Sequence, residues 1–464
     1  MNAVDSVEKD LRSEVFVLIV AGGIGSRLIG IGSNDVPKQF TICNEFGETW
    51  IQVTAKRFLG FGIPAKNIVV ITTNDGQTKL AEEQLIGLGV FSSRIHQIAN
   101  NYDYAGAMIK GAEFIKRINN DAIVINTPAD QHIIADENFY RTIGRAIDAA
   151  ASGLPILIGV RTTDLNLMKG CGHAIYSNTD LGEIKKVIGF IEKPNAEKAN
   201  ELLNSENSAL NTGINVWSLE TLFSQSKDII SNKRKLDLEK VDQAIHRKEA
   251  EYINRKESRR DEIISLDANS KLTNYITTEA TAKITQDILS EVKGWSLKTD
   301  ELMEVFDNLH VAVGSFVWED CGTYSSLYKV LKKMPEDKNA KIGGGQYYSK
   351  YCKNNLFFVA EGYCLTTYGV SNSFIAINSI ASKTVVVVGN MEYCQLVKEF
   401  GEKLGAGTLD SYSYSIESKN NHLQRTMVEN LIVCFVGIDN HSVSSFKTPQ
   451  NEIIISISND IYDR

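Results

Sequence analysis

Between Val15 and Val160 the chain alternates short aliphatic runs with longer amphipathic stretches. The runs VFVLIVA (15–21), NIVVITT (67–73), DAIVINT (121–127) and PILIGV (155–160) read as buried strands. Between them, TWIQVTAKRFLGF, QTKLAEEQLIGLG, AGAMIKGAEFIKRI and ENFYRTIGRAIDAAASG carry apolar residues three and four apart, as one-faced helices do. This order predicts an α/β fold with a mainly parallel sheet and helices on both faces. Ligands of such sheets bind beyond the carboxyl ends of strands. Gly22, Gly23 and Gly25 stand at one such end, Asp130 at another and Arg161 at a third.

The rest of the chain departs from that pattern. From about 222 to 308 it turns helical and polar, with Leu238, Val241, Ile245 and Tyr252 spaced for one buried stripe, and reads as a helical insertion. Strand-like pieces return in LHVAVGSFVWEDCGTY (309–324), and KKMPEDKNAKIGGG (332–345) reads as a linker. Beyond it NLFFVAEG, CLTTYGV, FIAINS and TVVVVG are evenly spaced short strands, which suggests a small β-solenoid or sandwich. After a Ser-rich stretch from about Gly405 come NLIVCFVGI and EIIISIS. The expected division is a domain over 1–335, a small β-rich domain over 336–404, and a β-containing segment over 405–464 without a functional reading.

At 464 residues, two or three domains are expected. The net charge of −8 argues against a nucleic-acid surface. The basic clusters are Lys233–Lys235 and Arg255–Arg260, and the second is interleaved with Glu249, Glu251, Glu257 and Asp261, as on a solvated helix face. The seven cysteines are odd in number and never form a C-x-x-C pair, which points to reduced thiols rather than disulfides or zinc. With no signal-like leader and no apolar run of membrane length, a cytoplasmic location is expected.

The chemistry concentrates first in AGGIGSRL (21–28) and PKQF (37–40). Glycines between a strand and a helix let backbone N–H groups approach an anion, although a tight turn alone also explains them. The pattern is neither the dinucleotide G-x-G-x-x-G nor a Walker A loop. Arg27 and, behind Pro37, Lys38 add two cations to the strand end, more than a turn requires, so phosphate binding is expected.

These segments resemble the signature of sugar-1-phosphate nucleotidylyltransferases, most closely of mannose-1-phosphate guanylyltransferases. Later segments resemble the same family in order: NTPADQHII (126–134), GCGH (170–173), FIEKP (190–194), NTGINVW (211–217) and WEDCGTY (318–324). Together they span roughly 15 to 330, and the strands of 354–390 resemble the family's short left-handed β-helix. The resemblance implies a Rossmann-like catalytic domain that joins a nucleoside triphosphate, GTP being favoured, to mannose 1-phosphate or a close hexose 1-phosphate. It implies that Arg27, Lys38 and Lys193 are catalytic and that Gly22, Gly23, Gly25, Arg27, Lys38, Ala105, Gly106 and Asp130 bind nucleotide. It implies that Gly172, Glu192, Lys193 and Asn211 bind the sugar phosphate, and that Asp130 and Asp320 hold Mg²⁺. His132, Trp217 and Trp318 read instead as packing residues, and an exposed β-helix end would be capped in a homodimer.

Departures from the family pattern lie at Ile29-Gly30, at Cys171 and His173, in YDYAGA (102–107) on the base side, and near Asp300, to which no role is assigned. They leave two alternatives open. One is a cytidylyl- or uridylyltransferase acting on another sugar phosphate. The other is a regulatory subunit that binds nucleotide-sugars without turnover.

Overall fold

The computed structural model describes residues 13–23, 31, 36–44, 46–98, 102–177, 182–233 and 297–331. In the C-terminal third it describes 339–350, 352, 354–360, 363–368, 370, 373–380, 383–390, 423–428, 431–436, 441–447 and 453–459. Gly25, Arg27 and the stripe of Leu238, Val241, Ile245 and Tyr252 lie outside the described residues.

The expected repeats form β1 (Val15–Val20), β2 (Ile68–Thr72), β4 (Ile123–Pro128) and β6 (Ile156–Val160). Their helices are α1 (Trp50–Phe61), α2 (Asp75–Leu85), α3 (Asp103–Ile118) and α4 (Glu137–Ala151). Helix starts follow side-chain chemistry: Thr49 and Gln52 make a capping box on α1, while Asn74 and Asp136 accept from the first-turn amides of Gln77 and Phe139. Further strands are β3 (Ile95–Gln97), β5 (His132–Ile133), β7 (His173–Tyr176), β8 (Ile184–Ile191), β9 (Ser208–Ser218), β10 (His310–Gly314) and β11 (Trp318–Glu319).

The central sheet has nine strands in the order β3-β2-β1-β4-β9-β6-β10-β8-β7. It is mixed, not mainly parallel in its pairing. β1 pairs in parallel with β2 and β4, and β6 with β10, but β9 enters antiparallel between β4 and β6. β8 likewise runs against β7 and β10. The reason lies in β9, an eleven-residue strand. Its second half pairs with β4 and its first half with β7, so it joins the two halves of the sheet. Local periodicity carries no information about that insertion.

Both sheet faces are covered. Val15, Val17 and Ile19 point into one core with Phe58 and Ile143, while Phe16 and Leu18 point into the other with Met108, Ala112 and Trp217. Helix α3 lies so close to β1 that a Cβ at Gly111 would stand 2.4 Å from Leu18 Cδ1. Among the described residues no helix is long and apolar enough to cross a membrane.

In the C-terminal part, β12 (Asn339–Ile342), β14 (Asn355–Val359) and β16 (Ser373–Ile380) pair in parallel in one sheet. The strands between them, β13 (Gln346–Lys350) and β15 (Tyr363–Tyr368), pair in parallel in another. β17 (Lys383–Asn390) then folds back antiparallel on β16. β19 (Leu431–Val436) joins β17 and pairs with β18 (Leu423–Val428), and β21 (Ile453–Asn459) joins β15 and pairs with β20 (His441–Lys447), so strands from both sides of residue 405 share these sheets.

Gly111→Ala is expected to lower the urea midpoint of unfolding. Helix propensity favours alanine by about 1 kcal/mol, but overpacking against the buried Leu18 costs about 1–3 kcal/mol. A raised midpoint would show that α3 can lift off the sheet at little cost.

Candidate active site

Three turns meet at the carboxyl ends of β1 and β4 and in the middle of β9, and in each the main-chain carbonyls are held by side chains. In the glycine turn after β1, Gln39 Nε2 donates to Ala21 O (2.6 Å) and Gly23 O (2.7 Å), and Thr73 Oγ1 donates to Gly22 O (3.1 Å). A Cβ at Gly22 would lie 2.5 Å from Thr73 Cγ2, which is why glycine stands there; at Gly23 the same position faces open space.

After β4, three successive carbonyls are taken in turn. Thr54 Oγ1 donates to Ala129 O (3.2 Å), Lys38 Nζ to Asp130 O (2.8 Å), and Arg57 Nη2 to Gln131 O (3.2 Å). Lys38 is only 2% exposed and also lies 3.0 Å from Asp130 Oδ2, whose side chain keeps 37% exposure. Its ammonium reaches Asp320 O at 3.5 Å and sits 4.9 Å over the Trp50 ring. Asp320 arrives there because β11 pairs antiparallel with β5, Glu319 opposite His132. The two predicted acids and the predicted lysine are therefore brought together.

In β9 the Asn-Thr-Gly sequence makes a bulge. Gly213 has φ +78°, and the register with β6 shifts between Leu157 and Gly159. Gln131 Nε2 donates to Thr212 O (2.5 Å) and Tyr104 OH to Gly213 O (2.9 Å). Asn211 Oδ1 accepts from its own Gly213 N (3.1 Å), so Nδ2 is what Asn211 has left to offer a ligand. Its main-chain N–H donates to Gly172 O (2.8 Å), which ties the bulge to the β7–β8 hairpin.

Glu192 and Lys193 follow β8. Adjacent strand residues point to opposite faces, but Lys193 has φ +46°, a left-handed conformation that costs a non-glycine residue about 1–2 kcal/mol. That bend lets the two side chains meet, Nζ 3.7 Å from Oε1. Gly172 is required beside them, since a Cβ there would fall 2.6 Å from Glu192 Oε2 and from Phe190 Cζ. Burial raises the Glu192 carboxyl above its ordinary value; Lys193 draws it down and the nearby Asp300 pushes it up again.

Other groups are quiet. Burial pushes the thiols of Cys43 and Cys321 up to about 12, so neither is a nucleophile at neutral pH. Burial, with Arg57 adding to it, lowers His132 to about 4 and keeps it neutral. His173 is buried with Nε2 2.7 Å from Met168 O, and Trp217 stacks on Phe306 in the core. Trp318 donates from Nε1 to Gln131 Oε1 (3.1 Å). Ala105 and Gly106 are buried in the first turn of α3, and Arg161 is spent on Tyr176 OH and Glu206 O. Sequence reasoning passed over Gln39, Gln131 and Tyr104, though the first two stand inside the quoted PKQF and PADQH. It also left out Asp300, whose Oδ1 is buried without a hydrogen-bond partner.

A family model described as nucleotidyl transferase matches residues 16–337. The chain belongs to the nucleotidyl transferase family. It is 26% identical over 391 residues to a mannose-1-phosphate guanylyltransferase of Salmonella montevideo, across 83% of this chain and 73% of that protein. It is 26% identical over 406 residues to the protein of the same name in Escherichia coli (strain K12), across 85% and 74%. In fold it is similar to a Thermus thermophilus protein described as a mannose-1-phosphate geranyltransferase. The TM-score is 0.62 at 20% identity, across 84% of this chain and 99% of the other. The turns described above are thus the candidate active site of a nucleotidyltransferase.

The nucleotidyltransferase should lose stability in acid partly through His132. Unfolded, this ring takes a proton near 6.5; folded, it does so only near 4. Stability is therefore full above pH 6.5 and falls as pH drops toward 4. Melting temperatures at about pH 7.5, 5.5 and 4.5 should fall less steeply in His132→Asn than in the wild type, and parallel curves would show that His132 does not contribute.

Proposed function

We propose that the enzyme transfers the guanylyl group of GTP to mannose 1-phosphate, forming GDP-mannose and pyrophosphate. A phosphate oxygen of the sugar 1-phosphate attacks the α-phosphorus, and the bond to the bridging oxygen breaks with its electrons leaving on pyrophosphate. The observation that carries this reading is the convergence of the Asp130 and Asp320 turns on Lys38, with the glycine turn after β1 and with Glu192, Lys193 and Asn211 after β8 and on β9 of the same sheet. The names of the relatives support guanylyl and mannosyl specificity.

In this reading the turn of Gly22 and Gly23, with Gly25 and Arg27, receives the triphosphate. Lys193 meets the sugar's phosphate, while Glu192 and Asn211 Nδ2 take its hydroxyls. No covalent intermediate is needed, so positioning and charge neutralisation are the protein's task. Asp130 and Asp320 offer hard carboxylate oxygens, and among the described residues no group of three or more His, Cys, Asp or Glu could hold a metal unaided. That donor set fits Mg²⁺, which takes one or two carboxylates and completes its shell with water and substrate phosphates. Bound there, it would neutralise charge developing on the phosphates. Lys38, already in contact with both acidic turns, keeps them close and leaves Asp130 partly exposed. In the C-terminal part, the alternation of β12 to β16 between two parallel sheets supports a β-helix-like winding.

The test is pyrophosphate release with Mg²⁺ across GTP, CTP, UTP and ATP, each crossed with several sugar 1-phosphates. A signal confined to GTP with mannose 1-phosphate is expected. A signal in another pair would replace the specificity, and nucleotide binding without release would replace enzyme by regulatory subunit. Asp130→Asn and Asp320→Asn should each lower turnover by at least about 100-fold, the scale of one lost electrostatic contact to the transition state; melting temperature should change little in Asp320→Asn and fall in Asp130→Asn, which strips the buried Lys38 of its anionic partner. Wild-type turnover in either would remove that acid from the mechanism.

A further inference from the structure

We propose that Gln39 and Gln131 are positioning residues that set the two halves of the site separately, Gln39 the nucleotide half and Gln131 the sugar half. This rests on the functional reading above, but its geometry stands apart from the choice of base or sugar.

Each side chain is almost fully buried, Gln39 at 3% and Gln131 at 5% exposure, and each is anchored on turn backbone. The Gln39 amide gives both hydrogen bonds to the carbonyls of Ala21 and Gly23. Carbonyls so tied cannot swing toward a bound anion, which they would repel. The same side chain makes no hydrogen bond to β9 or β11 among the described residues.

Gln131 works on the opposite side. Its Nε2 holds Thr212 O in the bulge that carries Asn211, and its Oε1 accepts from Trp318, two residues before Asp320. Its own carbonyl is fixed by Arg57, so the connection has a rigid base. Thr212 is 1% exposed. Without Gln131 its carbonyl would be left buried and unpaired, and the bulge would shift to satisfy it. Asn211 would move with it, and Asp320, loosened through Trp318, would lower kcat; Gly22 and Gly23 of the nucleotide turn would stay in place.

The test uses the full-length protein with Gln131→Met and Gln39→Met, which keep side-chain length and remove the hydrogen bonds. With whichever substrate pair the wild type turns over, Gln131→Met should raise KM for the sugar 1-phosphate about tenfold, the scale of one orphaned buried hydrogen-bonding group. Its KM for the nucleotide should stay within about twofold. Gln39→Met should show the reverse split. Backbone hydrogen exchange reads the same division without turnover. Gln131→Met should speed exchange across 210–216 and 317–321 and leave 20–23 unchanged, and Gln39→Met should do the opposite. Should Gln131→Met not fold, Gln131→Glu keeps the acceptor for Trp318 and carries the same expectation for the bulge. A fall in melting temperature with both KM values unchanged would overturn the proposal, as would equal exchange changes in both halves. Silence of the wild type with every substrate pair would overturn the functional reading alone, since the exchange pattern still decides the positioning roles.

Discussion

A buried ammonium holds this site together. Lys38 is enclosed by the Trp50 ring, the Asp130 carboxylate and the carbonyls of Asp130 and Asp320. A buried charge is costly unless paired and hydrogen-bonded. Those partners come from segments far apart in the chain, so placing Lys38 favourably requires the strand ends after β4 and β11 to meet. The two acids are near one another because the lysine needs both turns. What remains exposed is one face of Asp130, the part a cation and phosphates can reach.

Around that contact the protein solves one problem three times. A turn built to approach a ligand exposes backbone, and its carbonyls must be satisfied without facing an anion. Here polar side chains take them: Gln39 and Thr73 in the first turn, Thr54, Lys38 and Arg57 in the second, Gln131 and Tyr104 in the bulge. Positive φ at Lys193 and Cys321 is the accompanying strain beside ligand-facing groups, as it is at Asp103 and Asn354 elsewhere, while at Gly213 glycine takes the same region freely. Such strain persists only where packing overdetermines it, and Leu210, Ile214 and Val216 of β9 lie in the main core.

Much of the fold was legible because it rests on local periodicity. β1, β2, β4 and β6, with α1 to α4, follow from aliphatic runs and from apolar residues three and four apart. β7, β8 and β9 were not read as a group. β8 is half-buried over most of its length, and its sequence, IKKVIGFI, marks no single buried face by alternation. β9 changes partner halfway, and no local pattern records a partner. The same limit applies to the site. Gln39 and Gln131 are unremarkable amides in sequence, and only burial beside carbonyls gives them work. Ala105 and Gly106 were placed on the nucleotide side by resemblance alone, in a segment that departs from the family pattern, and both are buried in the first turn of α3.

The sequence by itself determined the strand–helix order, the glycine turn and the identity of the charged groups, because these depend on neighbours in the chain. Its motifs also named Lys38, Asp130, Asp320, Glu192 and Lys193 before any geometry was known. Tertiary structure alone decided that Asp130, 92 positions from Lys38 in sequence, lies 3.0 Å from its ammonium in space. It decided too that the sheet is mixed and that Gln131 joins the bulge to β11. The reason is physical: propensity and periodicity act over a few residues, whereas satisfying a buried charge or carbonyl depends on which distant segments the packed core brings within hydrogen-bond reach.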